Sequence, residues 1–347
     1  MRPRALGARI AVVPLLASAG IVPFANGASA NGIHLAPTGS DANPCTDARP
    51  CRTIARGQDA AGAGQTVWLH AGVYGAKRTS SDFRKRGLTW SGVAGEPRPR
   101  LLGTYVVSAG NIRLTKLIID GPTGSPGDVG LDVYRGSNIG IDHCEVRGVQ
   151  GHAGIYVSTG GSGVSIDHCW IHDNGRFGVR AAANLDHGIY WSSGSGRVVN
   201  NLIEHNYAHG IQLYPASGAV RIAHNTFVRN GRAQIMVNTT RGPTTIANNI
   251  VALGGNNGDQ PALFHYEHRA PVAYNNLFWH NASRNYNRGF KNVRPFVGNP
   301  MFAADYDIGR RSAAKDRGSR AYATANDLDG NRRVAPVDIG AFEAGQD

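Results

Sequence analysis

The chain has 347 residues, 46 of them glycine, and a formal net charge of +12. Length alone would allow two domains, but the glycines recur at fixed positions, which excludes a low-complexity or disordered chain. The charge comes mostly from arginine, the lysines being Lys77, Lys85, Lys116, Lys291 and Lys315. No dense basic run or nucleic-acid motif accompanies it, so the balance favours an acidic glycan over nucleic acid as partner.

Residues 1–30 read as a secretory signal: an arginine-bearing start, an apolar stretch over 10–24, and Ala28-Ser29-Ala30, with cleavage expected after Ala30. The apolar stretch is broken by Pro14, Gly20 and Pro23 and is short for a membrane span. No other segment suggests a membrane. A secreted, extracellular monomer is expected, with residues 31–347 as one domain. Cys45 and Cys51, six positions apart in an exported chain, are expected to form a small disulfide loop. Residues 53–63 then read as a helix, 66–69 as a strand, 71–74 as a turn, and the polar stretch 77–100 as a loop or outward excursion.

From Asn111 one unit recurs. It reads Ile139-Gly140-Ile141-Asp142-His143-Cys144, Val164-Ser165-Ile166-Asp167-His168-Cys169, Ile222-Ala223-His224-Asn225 and Ile246-Ala247-Asn248-Asn249. Its last position falls at 117, 144, 169, 201, 225, 249 and 276, in steps of 27, 25, 32, 24, 24 and 27. A period in the twenties marks a solenoid whose units bury their apolar faces only by stacking. Short alternating Ile/Val runs ended by Gly or Asn favour strands over helices. Five residues on, Asn174, Asn206, Asn230 and Asn281 form a second column. About ten residues on comes a Gly-aliphatic-x-aliphatic strand, as in Gly154-Ile155-Tyr156-Val157 and Gly188-Ile189-Tyr190-Trp191.

Together these features resemble the right-handed parallel β-helix of the pectate-lyase-like superfamily, over about residues 50–345. The resemblance implies an all-β solenoid: an N-terminal cap over 43–75 containing the helix, coils over about 101–298, and a C-terminal cap over 299–347. The long step between 169 and 201 marks an insertion, with strand-like pieces at 177–180 and 188–191. Cys144 and Cys169 share a ladder position, where parallel stacking gives poor disulfide geometry, and are expected to be free and buried. His143, His168 and His224, each one residue before the ladder, are expected to stack as part of the repeat. The Ile-Asp-His-Cys pieces resemble those of pectate lyases, in which such an Asp can help hold calcium; whether calcium is used here is open, and no other cofactor is implied. The Arg-x-Pro-x-x-Arg pattern of that family is missing. In the tail, Asp327, Asp329 and Asn331 alternate as in a calcium loop but lack the following Glu, so a turn is expected.

Outward side chains of the Gly-aliphatic-x-aliphatic strands form the column Asp132, Tyr156, Tyr190, Gln212 and Met236. Beside it lie His152, Asp186, His187, His209 and Tyr214, and the insertion adds Arg176 and Arg180. Tyr, His, Arg and Asp on one sheet face suit an elongated acidic polysaccharide. His187-Gly188-Ile189 also resembles a polygalacturonase motif, but residues 177–183 lack the carboxylates which that chemistry needs. The leading expectation is a polysaccharide lyase, with His187 as base (His209 as substitute), Tyr190 as proton donor and Arg180 neutralising the uronate. Asp132, His152, Tyr156, Arg176, Asp186, Gln212 and Tyr214 would bind substrate. A C5 epimerase, a glycoside hydrolase using Asp173 or Asp186, and a non-catalytic carbohydrate-binding β-helix remain alternatives.

Overall fold

The structure is a computed structural model and describes residues 32–238, 240–256, 260–266, 271–287 and 291–345. The signal segment over 1–30 lies outside the described residues. The described chain is a right-handed parallel β-solenoid with three sheets running along its axis.

Sheet one begins with Ile33–Leu35, Thr66–Leu69 and Thr89–Gly92, continues through Ile112–Thr115, Ser137–Asp142 and Ser162–Asp167, and ends at Lys291–Val293. Sheet two stacks Ile118–Asp120, Glu145–Arg147, Trp170–His172, Leu202–Glu204, Thr226–Val228, Ile250–Ala252, Leu277–Trp279 and Phe296–Val297. Sheet three stacks the end of Arg100–Val107 on Val129–Val133, Ala153–Val157, the starts of His187–Val199 and Ile211–Ala223, then Ile235–Val237 and Leu263–His265. All of these pairings are parallel and in register, so Ile155, Ile189, Ile211, Ile235 and Leu263 follow one another through the core at 0% exposure.

The bend between sheets one and two explains the recurring unit. Lys116, His143, His168, Asn200, His224, Asn248 and Asn275, each one residue before the ladder, have φ between 49° and 57°. This left-handed conformation turns the chain out of sheet one, and Asn and His tolerate it better than most residues. The ladder residue then turns inward to satisfy the backbone of the bend. Asn225 is fully buried; its Nδ2 donates to the carbonyls of Val198 and Ala223 and to Asn249 Oδ1, while its Oδ1 accepts from the N–H and Nδ2 of Asn201. Asn249 passes the pattern to Asn276 at 3.0 Å. Cys144 and Cys169 fill the same slot as free, buried thiols. His143 and His168 stack with ring centroids 4.9 Å apart and planes 6° from parallel, so these histidines belong to the repeat.

A second bend, between sheets two and three, uses the same device. Asp173, His205, Arg229, Leu253 and His280 are left-handed, and Asn174, Asn206 and Asn230 hydrogen-bond amide to amide at 2.9 and 2.8 Å. Gly254 holds the next place in this column. The Gln234 amide reaches into its space, accepting from Asn230 Nδ2 at 2.6 Å.

Three expectations need correction. Residues 77–100 are not an excursion: Val73–Phe83 pairs with Arg100–Val107, and Thr89–Gly92 joins sheet one, so stacking begins well before residue 101. Their outward side chains are polar, and the apolar alternation is too interrupted there to reveal the strands. The helix is shorter than expected, Ile54–Ala60, with the Thr53 hydroxyl capping Arg56 N–H. In the insertion, residues 177–180 are not strand; a 3-10 turn runs over Arg180–Asn184.

The tail over 299–345 lies back along the outside of sheet two. Leu202, Val228, Ile250 and Leu277, outward on that sheet, pack with Ile308, Ala314, Ile339 and Phe342. Polar contacts anchor it: Asn248 exchanges two 2.8 Å bonds with the Ser319 backbone, and Arg333 reaches Asn200 Oδ1 and Glu343. Asp327 caps its own turn, accepting from the N–H groups of Asp329 and Asn331. Cys45 and Cys51 are disulfide-bonded.

Replacing Asn225 with Leu should lower stability by about 3 kcal/mol, since several buried bend groups, each costing about 1–3 kcal/mol, lose their partner. Chemical denaturation would show it, and an unchanged midpoint would refute the role of the ladder. Thiol labelling without reductant should find no reactive cysteine in the native protein and two on unfolding, from Cys144 and Cys169.

Candidate functional site

The outer face of sheet three carries the expected column in register: Asp132, Tyr156, Tyr190, Gln212, Met236, then Phe264. Of the residues two positions earlier, Gly154, Gly188 and Gly210 make room for the second asparagine ladder. A Cβ on Gly188 would stand 2.7 Å from Asn206 Nδ2, and one on Gly210 2.9 Å from Asn230 Nδ2. The ladder therefore fixes where the strand starts and which side chains face out. One residue before each glycine, the column runs Val129, Ala153, His187, His209. One earlier still it runs His152, Asp186, Ala208, Arg232, linked by backbone hydrogen bonds.

His152, Tyr156 and Tyr190 form the half-exposed centre. The His152 ring centroid lies 4.6 Å from that of Tyr190 and 5.4 Å from that of Tyr156, edge-on to both, and the two tyrosines are 5.1 Å apart. Burial pushes the His152 imidazole below the ordinary histidine value, with Arg176 adding to the effect against the pull of Asp186. Burial also raises the Tyr190 phenol to about 12, helped by Tyr156 and Tyr214. The arrangement thus offers a neutral imidazole able to accept a proton beside a phenol that keeps its own.

His187 and His209 do not share that surface. They are 1% and 2% exposed and stack 5.1 Å apart under the sheet face, with Tyr190 stacked on His187 at 5.5 Å. The His209 N–H donates to His187 Nδ1, and His209 Nδ1 lies 3.3 Å from the Ala233 carbonyl. Burial, with Arg232 nearby, lowers His209 to about 3, and His187 falls well below the ordinary value, chiefly by burial. Both are neutral support for the rings above them, and the expectation that His187 meets substrate directly does not fit its burial.

Other expected residues divide. Asp186 is fully buried and gripped by Arg176 through Nε at 2.8 Å, Nη2 at 2.7 Å and the backbone N–H at 2.7 Å. This pair closes the base of the insertion, so neither charge is free for a ligand. Arg180 is exposed on the insertion, near exposed Phe177, Val179 and Leu185. Asp132 is half-buried, accepts from the Ser158 hydroxyl, and is raised by burial. Tyr214 is 38% exposed, whereas Gln212 and Met236 face outward in register yet are covered at 9% and 7%. Gln212 Oε1 has no hydrogen-bond partner among the described residues. Asp173, considered for hydrolysis, lies at the second bend, bound by His172 and His205.

Sequence reasoning missed the N-terminal end of this face. There Lys77, Arg78, Thr79 and Thr104 line a cavity of about 500 Å³ with Pro122, Thr123 and Asp128. Asp128 neighbours His152 through the backbone, so the cavity adjoins the aromatic centre. A calcium role for Asp142 does not fit: its carboxylate takes Arg113 at 2.7 and 2.9 Å, the Thr115 hydroxyl at 2.7 Å and His143 at 2.9 Å.

Residues 101–251 match the family described as a right handed beta helix region. Among solved structures, pectate lyase Pel9A shares the fold with a TM-score of 0.59 at 13% identity, over 90% of this chain and 97% of that one. A rhamnogalacturonan lyase aligns with a TM-score of 0.41 at 14% identity, over 90% and 86% of the two chains. The A-module of mannuronan C-5 epimerase AlgE4 from Azotobacter vinelandii gives 0.39 at 12%, over 67% and 86%. No curated protein sequence matches. The protein therefore has the right-handed parallel β-helix fold. The likeness at these identities is one of fold.

The buried histidines predict how stability depends on acidity. The unfolded chain protonates His209 near 6.5, the folded one not until about 3. Between those values the unfolded state binds more protons, so stability falls as pH drops, by up to about 1.4 kcal/mol per pH unit per histidine. His209→Gln should flatten the loss measured by denaturant unfolding between pH 6 and pH 4.5; an unchanged slope would contradict the burial-driven shift.

Proposed function

We propose that the outer face of sheet three binds a uronate-containing glycan and cleaves it by β-elimination, with His152 as the base. The supporting observation is the half-exposed, neutral His152 ring set edge-on to Tyr156 and Tyr190 at the centre of the face. Tyrosine faces suit sugar rings, and exposed Arg78 in the adjoining cavity and exposed Arg180 on the insertion supply cations for carboxylates. In the step itself, His152 takes the C5 proton. The freed electron pair forms the C4–C5 double bond, the C4–O bond breaks, and the leaving oxygen takes a proton from the Tyr190 hydroxyl. Arg180 faces the uronate carboxylate and lowers the cost of the charge that develops there. The similar fold of a pectate lyase is consistent with this substrate class. An extracellular setting belongs to the same reading, supported by the Cys45–Cys51 disulfide. Among the described residues no helix is long and apolar enough to cross a membrane.

A screen of polyuronates and neutral glycans tests it. Unsaturated uronate products support elimination; new reducing ends without them mean hydrolysis, an altered C5 configuration without cleavage means epimerisation, and retention alone means a binding protein. His152→Ala should lower turnover by about 10²–10⁴-fold while leaving glycan retention nearly intact. The acid limb of the rate profile should fall below 6.5, since His152 stays neutral under that value. Full activity in His152→Ala would remove it as the base.

A further inference from the structure

The N-terminal cap gathers two histidines and a carboxylate that neither the repeat nor the glycan face uses. His34 lies on Ile33–Leu35 and His70 directly follows Thr66–Leu69, the strand paired with it, so the parallel pairing sets the two rings together. Asp47 hangs over them from the disulfide loop. That loop holds His34 on both sides: the His34 N–H donates to the Cys45 carbonyl at 2.8 Å, and the Cys51 N–H donates to the His34 carbonyl at 2.9 Å.

The three donor atoms form a small triangle. His34 Nδ1 lies 3.2 Å from His70 Nε2, Asp47 Oδ1 lies 3.4 Å from His34 Nδ1, and Asp47 Oδ1 lies 3.1 Å from His70 Nε2. Ligands about 2.0–2.2 Å from a tetrahedral metal stand about 3.3 Å apart, which is the size of this triangle. The other nitrogen of His70, Nδ1, lies 2.8 Å from Glu96 Oε1, and Glu96 Oε2 accepts from the Ala71 N–H at 2.7 Å. A carboxylate on the far nitrogen of a ligating imidazole orients the ring and strengthens it as a donor. The Tyr74 hydroxyl donates to the Leu35 and His70 carbonyls and steadies the same corner.

We propose that His34 Nδ1, His70 Nε2 and Asp47 Oδ1 bind a divalent transition-metal cation of the zinc type. Two imidazoles and one carboxylate suit zinc and its neighbours and not calcium or magnesium, which take oxygen shells. Three protein ligands leave a fourth position for water or an external ligand. The cation would join four segments of the cap: the first strand, the disulfide loop, the end of the second strand and, through Glu96, the coil that follows.

The test uses the full mature chain, disulfide intact and free of any polyhistidine tag. Co²⁺ should bind one per chain with the visible absorption of a four-coordinate ion, and Zn²⁺ should displace it and raise Tm. Asp47→Asn, whose side chain is largely exposed and so safe for folding, and His70→Gln should abolish both effects. Glu96→Gln should weaken binding about 10–100-fold. His172→Gln, altering another histidine–carboxylate cluster, should leave binding unchanged. Absence of one-to-one binding at submillimolar metal would overturn the proposal and leave the trio as a hydrogen-bonded contact. Binding that survives both Asp47→Asn and His70→Gln would overturn it equally.

Discussion

The fold depends on how its bends satisfy their own backbone. Each coil must turn sharply while staying in register with coils above and below, and the peptide groups at a turn cannot all join the sheet ladders. A left-handed residue makes the turn, and in the coils from Asn201 to Asn276 a buried asparagine immediately after it supplies donors and an acceptor along the stack. Because the amides also bond to one another, from Asn201 through Asn276, each coil's bend is completed by the next coil. The interaction is cooperative by construction, since a coil without a neighbour would bury unpaired polar groups.

The surface face inherits this constraint. The second asparagine column needs room, the room comes from Gly154, Gly188 and Gly210 at the starts of three sheet-three strands, and each of these glycines fixes the phase of the strand after it. Two residues on, the side chain must face outward, which is why Tyr156 and Tyr190 stand side by side. His152 reaches them because its column precedes the glycines by two positions. Residues between Asn174 and Asp186 leave the stack at this same bend, where the Arg176–Asp186 pair closes the gap and register resumes at His187.

Register was legible in the sequence because apolar alternation and ladder residues are local signals with a fixed period. Cys144, Cys169 and the asparagines fall in one column as their spacing indicated, and Asp132, Tyr156, Tyr190 and Gln212 in another. What covers a column was not legible. His187 and His209 share the phase of Ala153, yet whether a ring in that position reaches solvent depends on Tyr190 and Arg232 in adjoining columns. Gln212 and Met236 face outward by periodicity and are covered all the same. The strands within residues 77–100 escaped notice because their outward positions interrupt the apolar pattern. Asp186 looked like a ligand group because its partner, Arg176, is ten positions away across an insertion with no period.

The tail has a consequence for the order in which the molecule is made. Its anchor points, Asn200, Thr226 and Asn248, belong to coils synthesised well before it. Until the last residues emerge, sheet two presents Leu202, Val228 and Ile250 bare, on a face flanked by strand edges still awaiting neighbours. A chain made from its N-terminus passes through that state every time it is synthesised. Its C-terminal segment then serves as a built-in escort, shielding a sticky surface at the moment of release.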